Sequence, residues 1–148
     1  MANDVSEIQQ AKKWIYDSLV ANSDIAAAVG TRVYDSYVPE PPANRTFPYC
    51  LFDLLAAPAR QGLGHNRLQT VGKFQIRVVI EGRPNAVARK IGKRIDDVFQ
   101  NAGNVLSGDY YFSSIQDQEV DRSEFDSATG KHYHNLGGIY DVFIGRTP

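Results

Sequence analysis

Hydrophobic residues recur along this chain with a helical period at its start, with a period of two in the middle, helically again, and with a period near two toward its end. Ile8, Ala11, Ile15 and Leu19 fall on one helical face, and Ser6 followed three residues later by Gln9 forms a capping box, so the spacing predicts a helix over about residues 7–21. Trp14 lies roughly 120° from the centre of that stripe, which puts it at the edge of the core or within reach of a partner. Asn22-Ser23-Asp24 offers a second cap, residues 25–29 a short helical turn, and Gly30 the left-handed position that ends it. Val33-Tyr34 starts extended structure. Pro39, Pro41 and Pro42 then exclude regular helix and central strand, leaving a surface connection.

Pro48 leads into a predicted strand over 49–55, and residues 56–69, with Pro58, Gly62 and Gly64, read as a long exposed hairpin loop. Phe74, Ile76, Val78 and Ile80 alternate with Lys73, Gln75, Arg77 and Val79, the pattern of a strand with one face on a core. Gly82-Arg83-Pro84-Asn85 ends that strand and opens a second long helix. Its expected buried stripe is Val87, Ile91, Ile95 and Val98, and Gly103 is its expected end. Strands over about 110–120 and 132–144, joined by a polar turn with Thr129-Gly130, complete the chain. The expected fold is α+β: a mainly antiparallel β-sheet with two main α-helices packed on one face and a long hairpin loop. No repeat, low-complexity tract or linker interrupts the pattern, so 1–148 is expected to form a single domain.

Composition narrows the function more than the fold. A formal charge of -1 removes any global attraction to nucleic acid or anionic membrane, and no apolar run approaches the roughly 18 residues of a membrane span. The polar N-terminus lacks the apolar stretch of a signal peptide, so cytoplasmic synthesis is expected. Cys50 is the only cysteine, which excludes an internal disulfide and a cysteine-rich zinc site, and its apolar surroundings predict a buried, inert thiol.

Candidate chemistry is sparse. Gly62-Leu63-Gly64 lacks the third glycine and the following helix of a dinucleotide fingerprint. His132 and His134, two apart on a strand, could share a metal, but two ligands do not make a site, and the third histidine, His65, lies in the predicted loop. No catalytic, cofactor or metal residues are assigned. Asp117, Glu119 and Asp121 are spaced to share one strand face, and residues 117–126 carry a net charge of -4. Residues 83–95, with Arg89, Lys93 and Arg94, carry +5. A head-to-tail ring needs two different, complementary surfaces on one monomer. These six residues are therefore candidates for an intersubunit interface in which the basic helix of one copy faces the acidic strand of the next.

In this order, the helix ending in Ala-Ala-Val-Gly, the Gly30-x-Arg32-Val33-Tyr34 step, the Pro48-Tyr49 strand start, Gln75-Ile76-Arg77, the long second helix and the Asp126-x-x-Thr129-Gly130 turn together resemble the tail completion, or tail terminator, proteins of long-tailed bacteriophages. The likeness runs over about residues 8–145. It implies a small α+β protein of the virion neck, assembled in the bacterial cytoplasm as a hexameric ring on the head-proximal end of the tail tube. Such a ring stops tube polymerisation and docks the head-side connector. The implied partners are further copies of itself, the tail tube protein and head-tail connector proteins, with no membrane, no sequence-specific nucleic acid, no cofactor and no enzymatic activity. Segments 39–42 and 56–69 depart in length from the family pattern. Long loops on a rigid sheet commonly carry binding, so Arg60, Gly62, Gly64 and Arg67 are candidates for an axial contact. Competing expectations are a head-side connector or tube component, a nucleic-acid-binding domain using the basic helix, and, last, a metal-dependent hydrolase.

Overall fold

The computed structural model describes residues 7–40, 45–57, 59–61, 67–100 and 102–146. The elements run α1 (Glu7–Ala21), α2 (Ser23–Val29), β1 (Val33–Asp35), β2 (Tyr49–Ala56), β3 (Ala59–Gln61), β4 (Arg67–Glu81), α3 (Ala86–Phe99), β5 (Ala102–Ser107), β6 (Tyr110–Asp126) and β7 (Lys131–Arg146). Seven strands form one sheet in the order β1-β2-β4-β7-β6-β5, with β3 paired to β4 beside the end of β2. Every pairing is antiparallel except β1 with β2. The fold is α+β, as the residue pattern predicts.

The helices start and stop where local chemistry tells them to. Asn22 caps α2 by accepting from the backbone N–H groups of Asp24 and Ile25, and Asn85 caps α3 by accepting from Ala88. Gly30 closes α2 at φ 59, a conformation in which an added Cβ would be strained. One layer of helices covers one sheet face. α1 packs on β1, β4, β6 and β7, α3 on β4, β6 and β7, and α2 bridges the two helices.

Between the layers lie Ile15, Leu19, Ile25, Phe52, Phe74, Ile76, Val78, Ile91, Ile95, Phe99, Phe112, Tyr140, Val142 and Ile144. Trp14 belongs to this core. Its ring stacks on Phe112 at 5.1 Å and meets the edge of Phe99 at 5.4 Å. A smaller apolar cluster on the opposite sheet face, Tyr49, Leu51 and Val79, is covered by Val38 and Phe47 from the proline-containing connection. Arg45 anchors that connection by donating to the Pro39 carbonyl at 2.9 Å and by pairing with Glu40.

Four expectations need correction. Residues 56–69 are not one open loop: β3 and the start of β4 pair as a strand arm, with Arg60 opposite Gln69 and Gln61 opposite Arg67. Gly62 and Gly64 lie outside the described residues. The buried stripe of α3 is Ala88, Ile91, Ile95 and Phe99, while Val87 is 52% exposed and Val98 only half-buried, because at about 100° per residue Ala88 and Phe99 lie one step round the helix from Val87 and Val98, on the side that meets the core. Helix α3 ends at Phe99, and Gly103 sits in β5, a strand with too little alternation to be recognised from its residues. Finally, β6 and β7 run to Asp126 and Arg146, longer than predicted, because cross-strand pairing carries polar residues into the ladder.

Candidate interaction surface

The acidic strand is governed by one irregularity. Directly paired residues point to the same sheet face, and Gln116 pairs with Tyr140 of the core, so even-numbered β6 residues face the helices up to that point. Gln118 then pairs with Ile139, leaving Asp117 as the extra residue of a β-bulge. Beyond it the phase is reversed. Glu119, Asp121, Ser123 and Phe125 face the helix side, opposite Gly138, Leu136, His134 and His132.

Asp117 is therefore separated from the acids whose face it was expected to share. It lies with Asp141 around Lys73, at 2.8 and 2.9 Å from the ammonium, and these hydrogen bonds, Asp117 first, raise the lysine above its ordinary range. On the helix side, the switched phase brings the acids to the foot of α3. Arg89 and Lys93 on one wall and Glu119 and Asp121 on the other line a groove of about 450 Å³, with Gly92, Leu136 and Gly137 contributing to its lining. Gly92 lets α3 sit close to β7, since a Cβ there would come within 3.3 Å of that of Leu136. Among the described residues no ion pair joins the two walls.

Four of the six interface candidates thus border one groove in the same chain. Arg94 is turned elsewhere: its Nε donates to Asp24 at 2.6 Å and its Nη1 to Asp97 at 2.9 Å. Lys90 also reaches Asp24, at 3.5 Å. The Arg94 hydrogen bond is the main influence holding the Asp24 carboxyl below its ordinary range. Arg60 and Arg67 stand in the β3–β4 arm on the far side of β4 from β6, remote in sheet order from the groove.

The two strand histidines diverge. His132 is exposed, with its ring 4.7 Å from that of Phe125. His134 is buried and joined to Asp121 through Nε2 at 2.5 Å and to Ser123 through Nδ1 at 2.9 Å. Ser123 was not among the sequence candidates, because its partner lies 11 positions away. This row staples β6 to β7 and holds Asp121 at the groove. Among the described residues no three His, Cys, Asp or Glu side chains gather as metal ligands, and no helix is long and apolar enough to cross a membrane.

A further feature had no residue signal beyond the polar run 116–119. Strand β5 pairs with β6 only as far as Ser114, so among the described residues the outer edge of β6 is unpaired from Ile115 to its end. Such an edge presents a row of free backbone donors and acceptors.

No protein-family model matches the chain, and no curated protein does. A chain from a solved structure described as the virion of a native gene transfer agent (GTA) particle matches in fold, with a TM-score of 0.59 and 21% sequence identity over 88% of this chain and 92% of the other. The two chains therefore share an architecture along nearly their whole lengths.

Proposed function

We propose that this protein is a structural component of a phage-like virion, and specifically a tail terminator: a hexameric ring that ends the tail tube on its head-proximal side and joins it to the head connector. The observation that carries this reading is the shared fold with a chain of a gene transfer agent virion, nearly end to end in both chains. The order of motifs from residue 8 to residue 145 supports the narrower assignment. A role of this kind needs modest contacts repeated around an axis, where multivalency supplies the stability.

In the ring, Arg89 and Lys93, which no ion pair engages among the described residues, take carboxylates of the neighbouring copy. Arg60 and Arg67 of the β3–β4 arm, with Gly62 and Gly64 between them in the sequence, make the axial contact. Electron microscopy of particles made without this gene tests the assignment: free heads beside abnormally long tails are expected. Free heads beside tails of normal length would reduce the role to joining, and normal infectious particles would remove it. The same assay on a variant shortened between Gln61 and Arg67 tests the axial contact, which intact infectious particles would rule out.

A further inference from the structure

We propose that the unpaired edge of β6 over residues 118–126 is a docking site for an extended, basic segment of a different protein, which adds to the sheet as a further strand. This goes beyond the ring and does not depend on it. The backbone is prepared for it: β7 occupies one side of this stretch, β5 stops at Ser114, and the bulge at Asp117 marks where new pairing would begin.

Charge selects the occupant. Residues 117–126 carry five acids against Arg122 alone. Two copies of this edge laid against each other repel, which guards it from symmetric self-pairing, whereas a cationic strand is attracted. The side chains set the pattern. Glu119 and Asp121 present carboxylates two positions apart on the helix side, and Phe125, 57% exposed, follows further along the same side. Cross-strand neighbours on one face interact directly. The fitting segment therefore has two cations at alternate positions and an apolar side chain further along the same face. Its cations lie beyond β6 from α3, so the β6 acids stand between them and Arg89 and Lys93.

The probe is a short synthetic peptide with two alternating lysines and a phenylalanine on the same face, added to the full-length protein. Its controls are the same peptide with glutamates for the lysines, and one N-methylated along its pairing edge. Binding is read by fluorescence anisotropy and by amide hydrogen exchange. The lysine peptide is expected to bind about tenfold more tightly than the glutamate peptide, to weaken as salt is added, and to slow exchange at residues 118–126. Glu119→Lys, which alters an exposed side chain, should narrow that preference while leaving the melting temperature unchanged. Equal binding of both charge forms, equal binding of the N-methylated form, or protection elsewhere would overturn the proposal. Protection of 118–126 that rises with protein concentration before any peptide is added would also overturn it, by giving the edge to a second copy.

Discussion

Single residues in this protein show how burial sets chemical behaviour. Cys50 is fully buried on the helix side of β2, and burial pushes its thiol from an ordinary 9.0 up to about 12. Below pH 9 the thiol is protonated in both folded and unfolded chains and contributes no pH dependence. Above that the unfolded chain releases a proton that the folded protein retains, so stability falls as pH rises toward about 12. Burial raises the Tyr49 and Tyr140 hydroxyls too, adding loss of the same sign at higher pH. The denaturation midpoint of the wild type should therefore drop between about pH 9 and pH 11. Cys50→Ala should show a shallower drop, since a full proton difference changes stability by about 1.4 kcal/mol per pH unit. Parallel slopes for the two proteins would contradict this account. The buried thiol was legible in the residues, because Cys50 sits among Tyr49, Leu51 and Phe52 in an apolar run. The His134 row was not, because Asp121 and Ser123 meet it only through the register of β6 and β7.

Elements depend on close approaches that side-chain patterns do not reveal. At Gly137 an added Cβ would lie 2.1 Å from the Ile76 carbonyl oxygen and 2.7 Å from the Arg77 Cα, both backbone atoms of β4 that cannot swing aside. Gly145, near the end of the same strand, has nothing within 4 Å of that position. Gly137→Ala should therefore destabilise by roughly 3 kcal/mol or more, and Gly145→Ala by under about 1 kcal/mol, in chemical denaturation. Similar losses at both sites would show that the β4–β7 contact is not the limiting feature. Of the elements themselves, α1, β4 and α3 were readable because each keeps an apolar period, and β2 because it is an apolar run after Pro48. The phase of β6 was not, because one bulge residue moves every later side chain to the other face.

At the scale of the whole molecule, the basic helix and the acidic strand border one groove, so their charges already attract within the single chain. Charge reversal of Arg89 and Lys93 should leave the monomer folded, with a stability change within about 0.5 kcal/mol, because neither is buried and neither has an ion pair among the described residues. It should abolish assembly of the proposed ring, read by sedimentation and microscopy in the presence of tail tubes. Rings that form as in the wild type would exclude these residues from the proposed contact. The charge of each segment could be counted from the residues. The adjacency of the two segments could not, since it arises from α3 lying across β7 beside β6.

By itself, then, the order of amino acids determined the class of the fold, the helix boundaries set by Asn22, Asn85 and Gly30, and the core faces of α1 and β4. All of these follow from interactions within a few residues or from a period that a half-buried element must keep. Only the tertiary structure decided which acids share a face, that Trp14 is enclosed by Phe99 and Phe112, that residues 59–61 and 67–70 pair, and that the edge of β6 stands open. Each of these depends on which distant strand or helix supplies the partner, and a bulge or a strand that stops short changes that partner without a strong local signal.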